Sequence, residues 1–159
     1  MTNKIFIYPI IFFSFFSCEV EKTHHHSFLD SNWNSKQIVK FDITTKDSTQ
    51  ARISNISIRH NDSYRYQNII FFLNHSYKEN IISTNTIELL LAEDDGRWIG
   101  KGKSNIKEFS TTILSPKIYQ NGIHTFSLEL AMRDNASTKL DNLDGISDIS
   151  FYLTTENED

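Results

Sequence analysis

Apolar residues recur at every second position through most of the chain after residue 38, and this period of two is the feature that most limits the fold. Val39, Phe41 and Ile43 fall on one face of an extended segment, with Lys40 and Asp42 on the other. Ile56 and Ile58 alternate with Ser57 and Arg59; Ile87, Leu89 and Leu91 repeat the pattern, as do Phe126, Leu128, Leu130 and Met132, and then Ile149, Phe151 and Leu153. Successive strand side chains point to opposite faces, so each run sets an apolar face on a core and leaves a polar face wet. Residues 68–73 are nearly all apolar and include two Phe, the pattern of a strand covered on both sides. Turn-forming clusters lie between the runs: His60-Asn61-Asp62-Ser63, Glu93-Asp94-Asp95-Gly96, Gln120-Asn121-Gly122 and residues 141–145. After residue 30 nothing sustains a helical repeat. The pattern predicts an all-β chain of six or seven short strands, a single antiparallel β-sandwich of jelly-roll or Ig-like order over residues 31–159.

The first thirty residues obey other rules. One cation, Lys4, precedes a twelve-residue stretch over residues 5–16 rich in Ile and Phe, with Ser17-Cys18 behind it. Twelve residues are too few to cross a bilayer core of roughly 30 Å, which takes about 20 as a helix. A charged start, an apolar segment and a small residue before the cut describe a secretory signal over residues 1–17. The only cysteine follows directly, which points to a lipoprotein signal with Cys18 as the acylated residue. Two or three acyl chains, at about 0.8 kcal/mol per buried CH₂, hold a protein stably on a membrane. Residues 18–30 then read as the lipidated N-terminus and a flexible tether. His24-His25-His26 within it is a weak metal motif, because adjacent residues on a tether preset no coordination geometry.

Chemistry is sparse. A formal charge of −4, from 16 basic and 20 acidic residues without a long basic run, argues against binding nucleic acid through phosphates. A single Cys excludes an internal disulfide and a Cys-based zinc site. There is no Gly-x-Ser-x-Gly elbow, and His60, His75 and His124 stand singly without metalloprotease or zinc spacing. Glu93-Asp94-Asp95-Gly96 reads as a hairpin connection rather than a calcium loop. Gly100-Lys101-Gly102-Lys103 lacks phosphate-loop spacing. No cofactor, no metal and no enzymatic activity are expected.

Three stretches, in order, resemble the gliding-motility lipoprotein H (GldH) family of Bacteroidetes-type bacteria. In residues 56–72, Arg59, Asn61, Tyr64, Tyr66 and Asn68 occupy the family's Arg-x-Asn and Tyr-Pro-Tyr/Phe-x-Asn positions, with Arg65 where Pro is usual. Residues 85–102 are similar to its Leu/Met-Ala, Asp-Gly-x-Trp-Leu-Gly-x-Gly pattern, with Trp98 in the Trp position and Lys103-Ser104 in the region of a missing Gly. Ala131-Met132-Arg133 and then residues 143–149 match its Ala-Met-Arg and Leu-x-Gly-Ile-x-Asp-Val/Ile segments.

The resemblance implies a lipid-anchored protein of the cell envelope, in the outer membrane, needed for gliding. It implies as partners other envelope proteins of the gliding machinery and the type IX secretion system linked to it. For the motif residues, Trp98 is expected to cover the core at a hairpin exit. One of Arg59 and Arg133 is expected to pair with Asp144 or Asp148 and fix the loop carrying Leu143-Asp144-Gly145. An alternative reading is an envelope carbohydrate- or peptidoglycan-binding module with Tyr64, Tyr66 and Trp98 as its aromatic platform.

Overall fold

The period of two is met by the backbone. The computed structural model describes residues 22–134 and 139–155. Within them lie β1 (His24–Ser27), a 3-10 turn (Leu29–Ser31), β2 (Asn32–Asn34), β3 (Val39–Thr45), β4 (Ala51–His60), β5 (Asn68–Tyr77), β6 (Asn80–Leu90), β7 (Lys107–Ile118), β8 (Gly122–Leu130), β9 (Asn142–Asp144) and β10 (Ile146–Thr155). Eight strands form two four-stranded sheets of order β1-β10-β4-β7 and β3-β8-β5-β6, while β2 and β9 make a separate ribbon. Every ladder is antiparallel. Counted in chain order, the eight run 1-8-3-6 and 2-7-4-5, which is the jelly-roll arrangement and not the Ig-like one.

The inner faces supply the core. Ile56, Ile58, Ile149, Phe151 and Leu153 of one sheet meet Val39, Phe41, Phe71, Leu73, Phe126 and Leu128 of the other, all buried. The Phe151 ring lies 4.6 Å from Phe126 and 5.9 Å from Phe41, at the spacing of favourable aromatic pairs. Trp33 of β2 closes one side, stacked on Phe28 at 5.3 Å and donating its indole N–H to the Gln37 carbonyl at 3.0 Å.

Three expectations need correction. The signal over residues 1–17 and Cys18 lie outside the described residues, but the tether assigned to residues 18–30 does not extend that far. His24–Ser27 is a strand paired with Phe151 through Asp148, so the folded part begins by His24 and not at residue 31. An edge strand can be held by ladder hydrogen bonds without an apolar face, which is why its composition gave no sign of it. β5 is not covered on both sides: Ile69, Phe71 and Leu73 are buried, whereas Phe72 is 38% exposed on the outer face. Finally, the described residues hold ten strands, more than the six or seven expected. The longest addition is β7, whose Phe109, Ile113 and Leu114 are only partly buried and whose Pro116 argues against a strand except at an edge, where β7 lies.

Candidate functional site

The β4–β5 connection, the long β6–β7 connection and the chain after β8 all emerge at one end of the sandwich. Arg59, Asn61, Tyr64, Tyr66, Asn68, Trp98 and Arg133 therefore gather at that end, although they are spread over some seventy positions of sequence. They divide there into three settings.

Arg59 points from the outer face of β4, between Glu108 on β7 and Asp148 on β10 in ladder register. Its ion pair is with Glu108, Nε to Oε2 at 2.9 Å, not with Asp144 or Asp148 as expected. The sequence pattern hid β7, and with it the nearer carboxylate. Glu108 also accepts from the Ser57 hydroxyl at 2.9 Å, and these two contacts hold its carboxyl below the ordinary range. For Asp148, burial works upward, but hydrogen bonds from Ser27 and Ser147 and the nearby His25 and Arg59 outweigh it and lower its pKa. Asp144 accepts instead from the Asn32 amide across the β2–β9 ribbon.

His25 contacts Asp148 at 3.1 Å and Ser27 Oγ at 2.9 Å through Nε2, and Ser150 Oγ at 3.0 Å through Nδ1. These are the atoms of a nucleophile, base and carboxylate. They lie on the outer face of a regular sheet, where β10 is paired on both sides and its backbone N–H groups are committed to the ladders. Among the described residues nothing beside them supplies an oxyanion hole or a strained nucleophile turn.

The second setting is an aromatic knot. Asn61 closes a turn by accepting from Ser63 N–H at 2.9 Å, and its own N–H donates to the Gly145 carbonyl at 2.8 Å. Tyr64 follows, buried, with its hydroxyl donating to the Asn68 carbonyl at 2.6 Å. Burial, with Tyr66 nearby, pushes its phenol pKa well up. Rings of His60, Tyr66 and Trp98 surround it at 5.6, 5.8 and 6.3 Å. Gly145 approaches so closely, at φ 92°, that a Cβ there would sit 2.3 Å from Tyr64 N. Trp98, partly buried against the core, follows the Glu93–Gly96 turn and is bridged to Ala92, as a hairpin exit requires. The platform proposed for sugars is thus not formed: Tyr64 spends its ring on the core and its hydroxyl on the backbone, and does not face solvent.

The third setting is an open recess of about 500 Å³ lined by Tyr66, Asn68, Ile70 and the segment Ala131-Met132-Arg133-Asp134, so that it carries a cation and a carboxylate side by side. Asn68 donates through its amide to Glu88, and Met132 Sδ accepts the Ile70 N–H at 3.2 Å, tying the segment after β8 to β5. Arg133 is exposed at the rim. This is where the structure brings residues of the first and third sequence motifs together. Arg59 and Asn61 do not reach it.

Three histidines that stand singly in the sequence, His60, His75 and His124, are buried. His75 Nε2 lies 2.9 Å from His124 Nδ1, and His124 Nε2 lies 2.8 Å from the Gln120 carbonyl. That carbonyl can only accept, so His124 donates to it through Nε2–H, and a neutral His124 ring leaves Nδ1 to accept from His75. Burial, with His124 and Lys117 nearby, pushes His75 down to about 4. His60 packs 4.4 Å from Trp98 with both ring nitrogens buried and lacking a hydrogen-bond partner among the described residues; burial lowers its pKa as well. All three keep the phase of the apolar alternation, which was the available signal: His60 follows Ile56 and Ile58, His75 follows Phe71 and Leu73, and His124 precedes Phe126.

The described residues thus form a jelly roll whose family-pattern residues, charged and aromatic, gather in the connections at one end. The GldH lipoprotein family model matches residues 20–153, and the chain belongs to that family. It is 29% identical over 151 residues to the gliding motility lipoprotein GldH homolog of Christiangramia forsetii, covering 94% of this chain and 92% of the relative. It is 25% identical over 140 residues to the gliding motility lipoprotein GldH of Flavobacterium johnsoniae, covering 87% of each. No solved structure matches the chain.

Proposed function

We propose that this chain is a non-catalytic lipoprotein of the cell envelope, anchored in the outer membrane through acylated Cys18, which serves as a subunit or assembly factor of the gliding machinery linked to type IX secretion. The observation that carries the reading is the family match across residues 20–153, which spans the folded domain. Relatives that align with most of this chain bear the name gliding motility lipoprotein.

An anchor at Cys18 also orients the domain. Five residues separate Cys18 from His24, and a chain of that length spans at most about 20 Å. β1 then runs from His24 toward Ser27, whose partner Asp148 lies near the start of β10 and beside Arg59. The chain enters from the opposite side, where the turns after β3, β5 and β7 lie. The motif end accordingly points away from the bilayer. Anchoring confines the domain to a thin layer and raises its effective concentration for partners there. Its recess and exposed Arg133 face those partners, and no cofactor enters the role.

Affinity capture of the full-length lipoprotein from native envelopes, with mass spectrometry, tests this. Enrichment of gliding or type IX secretion components over an abundant control lipoprotein is expected. Recovery of the lipoprotein alone, or with glycan fragments, would overturn it.

A further inference from the structure

Four exposed isoleucines stand at the end of the sandwich where the chain enters. Ile81 and Ile82 open β6 behind the Lys78-Glu79 turn, Ile118 closes β7, and Ile123 follows Gly122 at the start of β8. Each is at least half exposed. Ile82 falls at the register shift opposite His75 and Ser76, where β5 offers it no partner. Ile123 faces outward because its neighbour His124 is buried on the inner face. Exposed apolar side chains that gather in one place mark a contact surface.

The length of chain between Cys18 and β1 says what that surface meets. His24 pairs with Phe151, four residues before Thr155, so about 13 Å of strand separates it from this end of the sandwich. The tether from Cys18 to His24 spans at most about 20 Å, which leaves about 7 Å beyond the end of β10. An acylated Cys18 lies where headgroups meet acyl chains, and each headgroup layer is itself about 5–7 Å thick. The turns at this end therefore reach the headgroup layer when the sandwich stands upright. Lying on its side, the domain would instead offer the edge where β1 touches β3, with His24, His25, His26, Lys40 and Asp42. The bilayer gains apolar contact only from the upright domain.

We propose that the β5–β6 hairpin and the β7–β8 connection insert Ile81, Ile82, Ile118 and Ile123 into the interface of the bilayer that holds the anchor. This rests on the anchor at Cys18 proposed above. The tether joins the edge strand β1, whereas β6 and β7 lie at the opposite edges of their sheets, so the domain is seated at two separated points and cannot swing freely. Lys46, Lys78 and Lys117 are exposed nearby, but Asp47 and Glu79 stand beside them and Glu156, Glu158 and Asp159 follow β10 in sequence. The contact is accordingly apolar and persists at high salt. Leu29, Leu90 and Ile99 are exposed too, at the far end, and the tether cannot bring them to the same bilayer while this end is seated.

β6 supplies a matched pair of positions. Ile82 is 50% exposed and Leu90 is 55% exposed, at opposite ends of one strand and about 26 Å apart. Full-length lipoprotein carrying Ile82→Cys or Leu90→Cys is labelled with a polarity-sensitive fluorophore and reconstituted into phosphatidylethanolamine–phosphatidylglycerol vesicles, with the unsubstituted protein reporting any label on Cys18. At position 82 the emission should shift to the blue and lose most of its intensity to a spin label placed high on the acyl chain, more than to one on the headgroup. At position 90 neither quencher should act. Mass spectrometry of the Cys18 peptide and flotation with the vesicles read the anchor separately. An unacylated Cys18 in protein that does not float would overturn anchor and contact together. Acylated, floating protein in which position 82 reports water, is quenched only from the headgroup, or matches position 90 would overturn the contact and leave the anchor standing.

Discussion

Gly145 shows how one residue connects the motif end to the fold. Its backbone at φ 92° lies in the left-handed region, and its missing Cβ leaves room for Tyr64 N. Its carbonyl accepts from Asn61, so the turn after β4 is built against it. Gly145→Ala should lower unfolding free energy by about 2–4 kcal/mol in chemical denaturation, combining backbone strain with displacement of Tyr64. The paired histidines predict a pH effect with a definite sign. His75 is held at about 4 against an ordinary 6.5, so between those values the unfolded chain takes up a proton that the folded chain refuses. Its contribution is intact above pH 6.5 and is lost as pH falls toward 4, by on the order of 3 kcal/mol. His60 acts in the same direction. Urea midpoints at pH 7.5 and 4.5 check this, and His75→Gln, which keeps an N–H donor toward His124 without titrating, should flatten much of the difference.

At the scale of elements, the two faces of β5 make a matched comparison. Phe71 is buried between the sheets and Phe72 lies on the outer face. Phe71→Ala should cost about 3–5 kcal/mol, whereas Phe72→Ser should cost under about 1 kcal/mol in a monomeric domain at dilute concentration. Denaturant titration of the two variants separates them. The strands legible in the sequence were those with one face on the core: β3, the middle of β4, β8 and β10 follow from alternation alone. The nearly continuous apolar run of β5 identified a strand but not its exposure, because period alone does not distinguish a covered outer face from a bare one. β1 and β7 escaped because edge strands owe their place to ladder pairing with β10 and β4, and that depends on residues roughly fifty or more positions away. The same gap explains the wrong partner for Arg59. Its guanidinium could be placed at a strand end from sequence, but choosing Glu108 over Asp148 required knowing that β7 lies beside β4.

For the whole molecule, the jelly-roll order decides what meets what. Tyr66 and Asn68 precede and open β5, and Arg133 follows β8; because β5 and β8 are neighbours and antiparallel, the three converge on one recess. The sequence marked these residues through a family pattern, yet offered no reason for Arg133 to stand near Asn68. It suggested an aromatic platform too, and the fold turned Tyr64 inward because the turn at Asn61 and the backbone of Gly145 leave it only that direction. With the proposed anchor at Cys18, one end of the domain lies near the bilayer and the other presents Arg65, Tyr66, Asn68 and Arg133.

Site-specific photocrosslinking in native envelopes reads this polarity. A photoreactive residue replaces Arg65, exposed at the motif end, or Ser48, exposed in the turn after β3. Protein crosslinks that contain gliding or type IX secretion components are expected from position 65, with position 48 yielding lipid or no adduct. Machinery components captured from position 48 and not from position 65 would contradict it.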